Sequence, residues 1–143
     1  MRRAVAAPTI EFDLEPSVAE LAPARRRLRD WLEASSVDAH FVDELLVVAG
    51  ELLSNGIDAT PAGGVPVHFV GRNDGSSIHF EVSNHAGGTE TWSGERPDLE
   101  DPLRDRGRGL AIVEALTDTI AVNSLDGRTV VRCMRVLDQS RLA

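Results

Sequence analysis

Residues 47–57, VVAGELLSNGI, place Glu51 and Asn55 four positions apart on an otherwise apolar helical stretch. A carboxylate and a carboxamide at i and i+4 project from one face of a helix. About fifty residues later, residues 106–113, RGRGLAIV, read as a glycine-rich turn into another helix. A Gly-x-Gly turn at a helix start offers free backbone N–H groups and the positive end of the helix dipole to a phosphate. The side-chain oxygen of Asn55 is the hard ligand that Mg²⁺ prefers. The two segments together predict a magnesium–nucleotide site assembled from distant parts of the chain.

Outward from that stretch, Val42, Leu45, Leu46, Ala49, Leu52, Leu53, Gly56 and Ile57 recur at helical spacing. They predict a helix from residue 38 to about 59, ended by TPAGG at 60–64. Upstream, SVAE at 17–20 resembles a capping box with Ser17 as N-cap. Pro23 interrupts a smooth continuation, so one helical turn precedes a main helix over about 22–34. Alternation at period two predicts strands over 9–14, 65–70, 77–83, 119–125 and 129–136, and a further helix over 109–118. RNDG at 72–75 has hairpin chemistry, and Pro66 suits an edge or the start of its strand.

Helices and hairpins segregate along the chain, without the regular alternation of a doubly wound fold. The expected class is α+β: a two-layer α/β sandwich with a mixed, mostly antiparallel sheet covered on one face by helices. One domain spans 9–137, flanked by tails at 1–8 and 138–143. The polar, glycine-rich stretch 86–108 is long enough to be a lid.

A chain of 143 residues suffices for one ordinary domain with a real core. The net charge of −8 argues against DNA or an anionic membrane as a main partner. All fifteen basic residues are arginine, which excludes a P-loop lysine, a Schiff base or a lysine general base. The single cysteine, Cys133, alternates within a strand and reads as a buried structural thiol. His40, His68, His79 and His85 lack metal-ligand spacing. No apolar run reaches membrane-spanning length, and a cytoplasmic location is expected.

With these residues in order, the chain resembles the GHKL-type ATP-binding domain of histidine kinases, gyrase, Hsp90 and MutL, a Bergerat-type fold. Its length and details look most like bacterial anti-sigma-factor serine protein kinases. ELLSN at 51–55 matches the N-box Glu-x-x-x-Asn, and GRGLAIV at 107–113 matches the G2 box. GRTVV at 127–131 resembles the closing Gly-Thr strand motif. The G1 box, Asp-x-Gly-x-Gly, is matched poorly by NHAGG at 84–88: Asn84 replaces the aspartate and Ala86 the first glycine.

The resemblance implies ATP and Mg²⁺ as cofactors, with Glu51 as general base and Asn55 as metal ligand. It also implies nucleotide contacts from Asn84, Gly88, Arg106, Gly107, Arg108, Gly109, Leu110 and Thr129, with Arg104 as a further cation in the lid. A carboxamide at 84 still accepts a hydrogen bond from adenine but without charge assistance, so weakened or altered base recognition is expected. The implied activity is a serine/threonine protein kinase that phosphorylates an anti-anti-sigma partner and acts on a sigma factor. The alternative is a non-catalytic anti-sigma module with weakened nucleotide binding. The partners are proteins, neither nucleic acid nor membrane, and the oligomeric state, a homodimer included, stays open.

Overall fold

The protein is described by a computed structural model at residues 8–85, 93–94 and 106–137. Its elements run β1 (Thr9–Leu14), α1 (Leu21–Ala34), α2 (Ala39–Ala59), β2 (Val67–Asn73), β3 (Ser77–His85), β4 (Ser93–Gly94), α3 (Arg106–Leu116), β5 (Thr119–Leu125) and β6 (Arg128–Val136). The proline conflict before α1 is resolved by a single 3₁₀ turn at Val18–Glu20, whose Ser17 hydroxyl accepts the N–H of Ala19. Pro23 then falls in the first turn of α1, where a helix needs no N–H from it.

The sheet has the order β1-β2-β3-β6-β5-β4. Every described pairing is antiparallel, so five full strands and the two-residue β4 form a sheet with no parallel pair among them. β4 lies inside the stretch expected to be lid and was not anticipated. The turn between β5 and β6 has positive φ at both Asp126 (55°) and Gly127 (80°), the conformation a two-residue type I′ hairpin demands. It sets the register Ser124↔Thr129.

The side chains of Phe12, Phe69, Phe80 and Val82 form one core with Leu28 and Leu32 of α1 and Leu45, Leu52 and Leu53 of α2. The helices therefore cover one face of the sheet, as the apolar stripes required. Cys133 is buried in this core, and burial pushes its thiol up to about 12. It is the structural thiol expected from its strand position.

Arg135 ties three elements together from the helix-facing side of β6. Its guanidinium donates to the carbonyl of Leu116 at the end of α3 (2.7 Å) and stands over the Phe41 ring of α2 (4.8 Å). It also forms a 2.6 Å ion pair with Glu44 of α2, close in distance but not aligned as a hydrogen bond.

Two boundaries differ from expectation in ways that shape the site. β3 continues to His85 because Asn84 and His85 pair with Thr129 and Arg128 of β6. Asn84 is thus a strand residue and not the first residue of a loop. α3 begins at Arg106, three residues earlier than expected, and ends at Leu116 instead of 118. Gly107 and Gly109 therefore lie within its first turn. Apart from Ser93, Gly94 and this opening of α3, the stretch expected to be a lid lies outside the described residues.

Candidate functional site

The chemistry-bearing side chains meet where the second half of α2 crosses the start of α3. Gly56 lets α2 lie down on the sheet: a Cβ there would stand 3.1 Å from Cγ1 of Val67 and 3.5 Å from that of Val82. Beside it, Thr60 ends the helix by donating its buried hydroxyl to the Gly56 carbonyl at 2.7 Å. This close seat positions Glu51 and Asn55 toward α3. A Cβ on Gly109 would be 2.5 Å from Glu51 Oε1, 3.4 Å from Asn55 Nδ2 and 3.6 Å from Asn55 Oδ1.

Glycine at 109 is therefore required by the cradle itself. The Glu51 carboxylate sits against the first turn of α3, where the N–H groups of a helix lack intrahelical partners. Nearby, the Nδ2 of Asn55 is buried with no hydrogen-bond partner among the described residues. An orphaned buried donor costs about 1–3 kcal/mol, so a native structure ordinarily supplies an acceptor such as a ligand or water.

A second polar group lies at the end of the sheet. Asn84 alternates with Val82 and Phe80 along β3, so it faces the helical layer; it is only 6% exposed. Its Nδ2 also has no partner among the described residues. Across the sheet stand Thr129 and then Ser124, whose hydroxyls are 3.0 Å apart. Ser124 was missed in the sequence, although the Asp-Gly hairpin at 126–127 would have paired it with Thr129.

Of the remaining expected site residues, Leu110 is a core residue, 7% exposed, so its side chain packs inward. Arg106, Gly107 and Arg108 form the opening of α3. Gly88, Ala86 and Arg104 lie outside the described residues. A separate hollow bordered by Asp13, His68, Ser83, His85 and Arg128 opens on the opposite face of the sheet and contains none of the expected site residues.

The pattern in the chain matches the model of the histidine kinase-like ATPase domain over residues 14–135. The chain belongs to that family. Two solved structures share the histidine kinase-like fold. The RsbU and RsbW domains of Rv1364c from Mycobacterium tuberculosis superpose with a TM-score of 0.67 at 16% identity, over 91% of this chain and 32% of that one. This chain thus spans about a third of the length of that structure. The SiaB–SiaC complex from Pseudomonas aeruginosa gives a TM-score of 0.59, also at 16% identity, over 89% of both chains. No curated protein matches the sequence.

No helix among the described residues is long and apolar enough to cross a membrane. The described residues also contain no group of three histidine, cysteine, aspartate or glutamate side chains able to hold a metal by themselves.

Proposed function

We propose that this domain binds Mg²⁺–ATP and acts as an anti-sigma-factor-like regulator that phosphorylates a serine or threonine on a small partner protein. The observation that carries the reading is the Gly109 cradle, where a missing Cβ leaves room for Glu51 and Asn55 against the start of α3. The unpartnered Asn55 carboxamide and the family's nucleotide chemistry fit one another.

In this reading Asn55 turns its carboxamide oxygen to the cation. The opening of α3, with Gly107 and Gly109 free of side chains, holds phosphate oxygens on its N–H groups. The sequence puts two arginines, Arg106 and Arg108, in that same opening. Bound Mg²⁺–ATP supplies the phosphoryl group and neutralises its charge. Glu51, four residues from Asn55 on the same helix face, accepts the proton of the attacking hydroxyl and orients its oxygen. Asn84 and Thr129, at the sheet end of the layer, hold the base.

The partner class rests on the likeness to anti-sigma kinases in motif order and on the two-protein SiaB–SiaC structure that shares the fold. The net charge of −8 suits a partner with a basic segment. The substituted G1 position, Asn84 for aspartate, favours a second reading: a partner-binding module in which nucleotide is weak and catalysis absent.

The test is phosphoryl transfer. Proteins captured by the purified chain from its host are incubated with it and ATP labelled on the γ-phosphate. Label on a captured serine or threonine, lost in Glu51→Gln, supports the kinase. Stable capture with no transfer at saturating Mg²⁺–ATP overturns it in favour of the binding module.

A further inference from the structure

We propose that Asn84 makes this domain tolerant at position 6 of the purine, accepting 6-oxopurine nucleotides alongside adenine nucleotides. The inference rests on the nucleotide-binding reading above and adds the class of base. Asn84 is more than nine-tenths buried, faces the helical layer, and carries an N–H₂ group with no acceptor among the described residues. It shares that layer with the equally unpartnered Asn55 nitrogen. With phosphates drawn to the start of α3, the second orphaned amide is left for the base end of the ligand.

The chemistry of the carboxamide decides what it can read. A carboxylate offers only acceptors, so it pairs with a 6-amino group and opposes a 6-oxo oxygen. A carboxamide carries one acceptor and two donors on the same trigonal carbon. Half a turn about its Cβ–Cγ bond exchanges them. In one setting Oδ1 accepts from N6 of adenine while Nδ2 donates to N1. In the other, Nδ2 donates to O6 of hypoxanthine or guanine while Oδ1 accepts from N1–H.

Nothing among the described residues locks that half-turn, because no hydrogen bond fixes Nδ2. The Thr129 hydroxyl, across from Asn84, is already 3.0 Å from that of Ser124. The neighbouring pair can likewise give or take a proton, since either hydroxyl is able to donate. Among the described residues at this end of the layer, Asn84, Thr129 and Ser124 thus have no fixed donor or acceptor sense.

Competition binding on the full chain with Mg²⁺, using ATP, ITP and GTP, tests this. ITP isolates the 6-position, whereas GTP also asks whether the pocket admits a 2-amino group. Wild-type affinities for ATP and ITP are expected within about tenfold of one another. Asn84→Asp, folded by circular dichroism, should widen that gap about tenfold or more in favour of ATP. If that variant does not fold, the wild-type ratio decides alone. ATP binding with ITP more than about a hundredfold weaker overturns the proposal and leaves the nucleotide site standing. An unchanged ratio in folded Asn84→Asp also overturns it. Failure of all three nucleotides to bind at millimolar concentration removes the nucleotide site and this inference together.

Discussion

Gly109 of α3 is held so near Glu51 of α2 that a Cβ at 109 would lie 2.5 Å from the glutamate's Oε1. The obstructing atom is the far end of a flexible side chain, so the fold can yield where the site cannot. Gly109→Ala is expected to leave stability within about 1 kcal/mol, because alanine's better helix propensity offsets part of the crowding. Its Mg²⁺–nucleotide affinity should fall about tenfold or more as Glu51 is displaced. Thermal unfolding beside nucleotide titration separates the two effects.

Arg135 gives a test of the scaffold that supports the site. It bonds the last carbonyl region of α3 and pairs with Glu44 on α2, from a side chain only 20% exposed. Arg135→Ala should cost about 2 kcal/mol in denaturant unfolding, since a charge-assisted hydrogen bond and packing against Phe41 are lost together. A change within about 0.5 kcal/mol would show that the α3 end is held by other contacts.

How much was legible in the sequence follows from where the signal lay. α2 was readable nearly to the residue because its apolar stripe is long and ends at Thr60-Pro61. The pair Glu51 and Asn55 came with it. The start of α3 was misplaced because Gly107 and Gly109 read as a turn, whereas both lie in the helix and Gly109 there clears the Glu51 and Asn55 side chains of α2. Asn84 read as loop because polarity rises there, but pairing with β6 outweighs that local preference. The Ser124–Thr129 contact depends on register, which the strand patterns alone do not carry and the Asp126-Gly127 turn does.

His68 predicts a pH dependence confined to the open face of the sheet. Its ring lies between Asp13 (2.6 Å) and Glu11 (2.8 Å), binding β2 to the edge strand β1. The hydrogen bond to Asp13, followed by that to Glu11, raises its pKa above 6.5 against the opposing effect of burial. A raised folded pKa means the stabilisation is fully present below the unfolded value and disappears as pH rises through the folded one. The stability advantage of wild type over His68→Gln should therefore shrink between about pH 6 and pH 9, read from urea midpoints. A difference constant across that range would contradict the clamp.

The central claim is that α2 and α3 build a cation-dependent nucleotide site around Asn55, and calorimetric titration with ATP in the presence and absence of Mg²⁺ tests it most directly. Wild type is expected to bind more tightly with Mg²⁺. Asn55→Ala should remain folded and lose that dependence, with Mg²⁺–ATP affinity down about tenfold or more. Mg²⁺-dependent binding of the same strength in folded Asn55→Ala would contradict the assignment.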